Sequence, residues 1–410
     1  MKKFLLPLFL AVLFPGGAAA EPASPPALTL PAALAEVKSA NPALAAARRQ
    51  LGLSEAEVII NSAYPNPTIE IDKDVSSVFD GYEIKAVQPV PLTDRAGTAG
   101  AAARASYEAA QKELQSLETV ILSAARKAWY TLRIAKERRN FEETNLRFSM
   151  DILNKIEMRL QTGEAGNSDL ARAKVETSRS GLHLQEAETA QRTAAGELNT
   201  LMGRRPDAPA AVSENGGFSL APVVAALEPL EKYTELALSR RSELRALVLT
   251  GKAADLNVTL EKSKRLPVPG LGFIRGSDGG TGYSRLFLGL ELPLWYNNKG
   301  EIKRALANKA ALDYEGRRLE LEIRREVYNA WLELGLAQKR LAASRETVTL
   351  LNDLRRTASQ DYLSGKIGLT SFYETNRIFL EENISYLDAL NEYYEKTAQL
   401  QAAANSGEEK

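Results

Sequence analysis

The chain of 410 residues has no cysteine, a single histidine, and no proline in two long stretches, 92–205 and 294–410, although it holds 18 prolines. Without cysteine there is no disulfide framework and no N-terminal lipid-bearing cysteine. Soft or imidazole metal centres need several Cys or His, so His183 alone supports none and reads as a helix-surface residue. With no nucleophile–base constellation, the expectation is a protein that is not an enzyme, with no cofactor and no resident metal. Charge of one sign is also missing. Setting aside Lys2 and Lys3 leaves 50 basic against 52 acidic residues, a balance that gives no electrostatic reason to expect nucleic acid. Beyond the N-terminus no segment approaches the ~18 uninterrupted apolar residues of a spanning helix, so any membrane crossing must use strands.

The first 20 residues are the exception. Lys2-Lys3, an apolar run from Phe4 to Phe14 and Gly16-Gly17-Ala18-Ala19-Ala20 read as a secretory signal peptide cut after Ala20, because about eleven apolar residues fall short of the roughly 20 that a membrane anchor needs.

Proline breaks helix interiors, and the two stretches without it are copies of each other. Ala128-Trp129 with Leu132 recurs 202 positions later as Ala330-Trp331 with Leu334, Leu117 as Leu319, Ile121 as Ile323, and Gly163-x-x-Gly166 as Gly365-x-x-Gly368. Upstream the offset is 200, as in Leu44 and Leu244 or Pro67 and Pro267, so the length difference falls between Pro67 and Pro91. A two-fold internal repeat is the architecture. The apolar positions 114, 117, 121, 124, 128, 132 and 135 form a coiled-coil seam. The spacing predicts a long helix over about 97–161, a turn at Gly163–Asn167 and a return helix over about 168–202; the second copy runs about 298–364 and 370–404. Ahead of each long helix the period changes to two, which means strands, over about 66–90 and 269–292. Leu286, Leu288, Leu290 and Leu292 fill one face there and Arg285, Phe287, Gly289 and Glu291 the other, the alternation expected of a barrel strand with lipid outside and water inside. A half-buried hairpin in a soluble domain is the competing reading. Trp295-Tyr296 beside these strands suits an interfacial aromatic girdle or core packing equally well. The organisation is thus a signal peptide 1–20, a first repeat 21–203, a linking segment 204–232, a second repeat 233–404 and a tail 405–410.

The order and spacing of several short segments carry a family likeness: Leu28-Thr-Leu30 followed by Asn41-Pro42-Ala43-Leu44, Gln88-Pro89-Val90-Pro91-Leu92, the turn from Gly163 to Leu170, Leu201-Met202-Gly203, and Leu292-Pro293-Leu294-Trp295 leading to Asn298-Lys299-Gly300-Glu301-Ile302. On these the chain resembles the TolC-like outer-membrane efflux proteins over essentially its whole mature length, and within them the heavy-metal branch. The resemblance implies a mainly α fold with a small β part: two repeats, each a short β-hairpin plus a long antiparallel coiled-coil hairpin. Three chains would join in a twelve-stranded barrel in the outer membrane, continuing as a helical tunnel across the periplasm, with residues 204–232 on a mid-tunnel belt. The implied function is a passive exit duct, and the implied partners are two further copies, outer-membrane lipid, a periplasmic adaptor and an inner-membrane pump of the RND type.

The resemblance also assigns the ends. The turns at Gly163, Gly166, Gly365 and Gly368 would meet the adaptor, and Asp169, Ser371 and Glu374 would line the periplasmic aperture, where one of the family's aspartates is a serine. A ring of carboxylates favours cations. Local chemistry offers another role for these residues, because Ser371-Phe-Tyr-Glu374 has the spacing of a capping box and Asp169 sits in a first helical turn. The alternative overall reading is a periplasmic coiled-coil adaptor or scaffold without a barrel; two hairpins, each preceded by a strand pair, weigh against it.

Overall fold

A computed structural model of the chain describes residues 28–75, 81–213 and 219–405. The expected signal peptide, Asp80 of the first hairpin turn, residues 214–218 of the linking segment and the tail from 406 lie outside the described residues. Each repeat contributes the same series of elements. The first holds α1 (Leu30–Ala40), α2 (Pro42–Ser62), β1 (Thr68–Lys73), β2 (Gly81–Pro89), α3 (Arg95–Gln161) and α4 (Asn167–Leu201). The second holds α5 (Leu230–Arg240), α6 (Ser242–Ser263), β3 (Pro269–Asp278), β4 (Thr281–Leu290), α7 (Lys299–Leu363) and α8 (Leu369–Ala404). The 67 residues of α3 make a rod of about 100 Å. The fold is therefore mainly helical, with one small antiparallel sheet.

The short helix pairs α1–α2 and α5–α6 have no counterpart in the sequence reading, and an elbow with a fixed anchor explains each. In the first, Pro42 opens α2 while Asn41 stays extended. The Asn41 Oδ1 accepts from the backbone N–H groups of Ala43 and Leu44 at 3.0 and 3.1 Å, and its Nδ2 donates to the Leu201 carbonyl at the end of α4 at 2.8 Å. In the second, Arg241 stands at the same place and its Nε donates to the Ala403 carbonyl at the end of α8 at 2.9 Å. Both tie a return helix to an elbow, one with an amide and the other with a guanidinium. Tryptophans make a matching pair: Trp129 Nε1 donates to the Leu28 carbonyl at 3.1 Å and Trp331 Nε1 to the Glu228 carbonyl at 2.9 Å. Each carbonyl lies two residues before a first short helix, so the indole fixes where the repeat begins.

Strands β1 to β4 form one sheet in sequence order, all antiparallel, with β2 pairing β3 across the repeats. The helices form a wall one layer deep. Near the sheet α3 packs against α2 and α6, and α6 reaches α7; farther away α3 packs against α4 and α8, and α8 against α7. The order across the wall is therefore α2-α3-α6-α7 near the sheet and α4-α3-α8-α7 near the turns. Two apolar clusters anchor its middle, one around Trp129, Leu132 and Leu198 and one around Ile323, Val327 and Leu400. The seam positions Ile121, Ala128, Leu132 and Ala135 all fall in the first.

Candidate functional site

Two regions of the wall carry chemistry that packing alone does not use: the sheet at one end and the paired turns at the other. Directly opposed residues in antiparallel strands point to the same side, so the register sorts the sheet completely. Ile71 faces Ile84, Ala86 faces Phe273, Phe273 faces Leu286 and Leu271 faces Leu288. Leu286, Leu288 and Leu290 share that side, and all three are exposed, Leu286 at 91 %. Leu292, just past the end of β4, is exposed as well. The opposite side is charged and internally paired: Lys85 Nζ lies 3.0 Å from Glu70, the Tyr283 hydroxyl donates to Glu83 at 2.8 Å, and Arg285 stands 3.9 Å from the same carboxylate. An apolar face bare to its surroundings, backed by a polar face that satisfies itself, inverts the pattern of a soluble hairpin. Trp295, 98 % exposed, and Tyr296 stand at the rim from which the long helices leave. Both sheet edges, β1 and β4, are unpaired within the chain.

At the other end both turns use a left-handed glycine, Gly163 at φ 76° and Gly365 at φ 75°, where a Cβ would be strained. Gly166 and Gly368 are the N-caps of α4 and α8 with ordinary negative φ. The first turn is capped, as the Asp169 Oδ2 accepts from the Gly166 N–H at 3.3 Å. The second corrects the expectation for Ser371 and Glu374. Helix α8 begins at Leu369, so Ser371 already lies inside the first turn, and no side chain caps the helix. Glu374 bonds Arg377 at 2.6 Å instead, and that guanidinium holds it below the usual carboxylate range. Asp169 and Glu374 are thus spent on different partners, one on its own helix terminus and the other on a surface arginine.

What joins the two turns is aromatic. Ile152, Ile156, Ala173, Tyr362, Leu369 and Phe372 form one cluster contributed by all four long helices. Above it the cation of Arg355 lies 4.2 Å from the ring centroids of both Phe148 and Phe379, and burial pushes its pKa down to about 10. Burial likewise raises the Tyr362 and Tyr373 hydroxyls. The seam between α3 and α4 is polar at this height: Glu142 is 3 % exposed, Asn145 donates to Ser180 at 3.4 Å and Ser149 meets Ser180 at 2.9 Å. Burial lifts the Glu142 carboxyl above its ordinary range, with His183 and Arg138 acting against that shift. His183 itself is half-exposed and contacts Glu186 at 3.3 Å. Among the described residues no cluster of His, Cys, Asp or Glu could hold a metal ion, and no helix is long and apolar enough to cross a membrane. Arg355 and Glu142 escaped the sequence reading, although the helical spacing Leu351, Arg355, Ala358, Tyr362 places the arginine in a seam.

A sheet with an outer apolar face, open at both edges and continued by a long helical wall, defines the class of outer-membrane channel subunits. Residues 234–406 match the family described as outer membrane efflux protein. Over 96 % of this chain and 97 % of the relative, it is 24 % identical to the cobalt-zinc-cadmium resistance protein CzcC of Cupriavidus metallidurans. Solved structures share the fold: CusC at a TM-score of 0.76 and 14 % identity, covering 94 % of this chain and 95 % of that one, and the outer membrane channel CmeC of Campylobacter jejuni at 0.75 and 14 %, covering 96 % and 91 %. The chain is a TolC-like member of the outer membrane efflux proteins, and its second repeat carries the recognisable sequence of that family.

Proposed function

We propose that three copies of this chain form the outer-membrane exit duct of a tripartite efflux system, fed by an inner-membrane pump of the RND type through a periplasmic adaptor. The apolar, exposed outer face of the sheet carries this reading: Leu286, Leu288, Leu290 and Leu292 would lie against lipid. Four strands with two free edges cannot close a barrel, since the smallest membrane barrels have about eight strands; three copies supply twelve. The wall offers matching edges. Along α7, Tyr314, Leu321 and Tyr328 recur every seven residues and are exposed, and on the other side Val175 and Leu182 of α4 and Ile59 and Ile60 of α2 are exposed too. Such stripes are coiled-coil seams awaiting partners. The paired turns at Gly163 and Gly365 would reach the adaptor, with Gly166 and Gly368 setting the helix starts behind them.

The proposed cargo is divalent metal cations, a reading supported by the name of a relative aligned over 96 % of this chain. They would pass without a tight site, as one histidine and no cysteine leave nothing soft to hold them. Asp169 would line the narrow end, whereas Glu374, held by Arg377, and Ser371 contribute little net charge there. The test is conductance of the purified protein in a planar bilayer, combined with cobalt, zinc and cadmium tolerance of cells lacking it. A steady pore and a metal-sensitive deletion strain are expected. Absence of a pore would remove the duct reading in favour of a periplasmic scaffold, and a pore without metal sensitivity would remove the cargo.

A further inference from the structure

Near the turns each chain presents two helical hairpins side by side, α3–α4 and α7–α8, and the strength of the seam between them decides how the end can open. That seam is a continuous aromatic ladder. From the sheet side toward the turns, Phe141 meets Phe379 with centroids 6.1 Å apart, Arg355 covers Phe379 and Phe148, Phe148 meets Phe372 at 6.1 Å, and Phe372 stacks on Tyr362 at 5.2 Å. The six residues come from α3, α7 and α8. Arg355 alone reaches from one hairpin to a ring of the other while stacking on a ring of its own. Among the described residues its guanidinium has no ion-pair partner, so its charge is balanced by ring faces, which attract cations most strongly when desolvated.

The seams inside the hairpins contrast with this at the same height. Between α3 and α4 the layer is Glu142, Asn145, Ser149 and Ser180, all buried, and the Asn145 Oδ1 has no hydrogen-bond partner; on α8 the buried Asn376 Oδ1 has none either. Polar layers in a coiled coil cost stability, so the boundary between hairpins is better packed than their interiors. We propose that the Arg355 clamp locks the two hairpins of each chain into one body, so that opening of the narrow end separates neighbouring copies and leaves the hairpins of one chain together. The proposal rests on the duct reading and adds where the movement occurs.

Hydrogen exchange of the detergent-solubilised protein reads the clamp whether or not the protein conducts. In Arg355→Ala, exchange over 141–156 and 372–379 should speed up together by at least tenfold while 114–135 stays unchanged. Arg355→Met, of similar reach but uncharged, should not restore protection. Unchanged exchange in the alanine variant, or full protection in the methionine variant, would overturn the clamp. The cysteine-free chain permits a second, site-specific test, because Arg172 on α4 donates to Thr370 on α8. Joining Arg172→Cys and Thr370→Cys with a short bismaleimide should leave bilayer conductance within about twofold of the unlinked pair. A tenfold loss of conductance on linking would show that the hairpins must part, and would contradict the proposal without touching the duct reading.

Discussion

The two repeats of this chain keep the same elements and replace the polar groups that secure them. At the elbow the first uses Asn41 and the second Arg241; at the turn the first is capped by Asp169 and the second has no side-chain cap. Below the middle, the first buries Glu142, Asn145 and Ser149 in its seam, and the second inserts Arg355 between rings. Backbone geometry and apolar seams are thus what duplication preserved, because a rod of about 100 Å tolerates no change of period. Polar anchors are exchangeable wherever another donor reaches the same carbonyl. The family sequence match covers only 234–406, yet the fold is common to both halves.

This asymmetry can be broken at matched positions. The largest difference should come from the tryptophans. Trp129 is fully buried and Trp331 only partly so. Trp129→Ala should cost about 3–5 kcal/mol and Trp331→Ala clearly less, measured as denaturation midpoints in detergent; equal losses would contradict the packing difference. Next is the buried carboxyl. Glu142 has a raised pKa, so the folded state holds its proton more tightly than the unfolded chain does. Its stabilising share is full below the ordinary carboxylate range and is lost as pH rises through the higher folded value. Glu142→Gln should therefore raise the midpoint at neutral pH, gain nothing at pH 4, and flatten the pH profile between; a parallel shift at both pH values would place the effect elsewhere. At the elbow, Asn41→Ala should cost about 1–2 kcal/mol, visible as early loosening of the end of α4 in hydrogen exchange. Smallest is the turn pair: Asp169→Ala should cost about 0.5–1 kcal/mol, whereas Glu374→Ala, at an exposed ion pair, should leave the midpoint unchanged.

The fold was legible in the sequence where periodicity runs long. Proline-free runs at a constant offset marked out α3–α4 and α7–α8, and alternation marked β4, because those signals repeat over many residues. The elbows did not show, since α2 is nearly uniform around its circumference: Leu44 is its sole buried residue, and the helix is held by one asparagine contacting a carbonyl 160 positions away. At the turns, Asp169 was readable as a cap because N-cap chemistry is local. Ser371-x-x-Glu374 misled for the same reason. The motif has the right spacing, but Gly368 starts the helix three residues earlier and Arg377 lies within reach of the glutamate. Arg355 was hidden because its partners come from two other helices, which no single stretch of sequence brings together.

The central claim is that this sheet completes a barrel only with two further copies in the outer membrane. The most direct test is fractionation of the cell envelope followed by mass measurement of the detergent-solubilised particle. The account predicts an outer-membrane species of about three times the mature chain mass, following the count of four strands per chain against a minimum of about eight. A periplasmic monomer that stays soluble without detergent would contradict it.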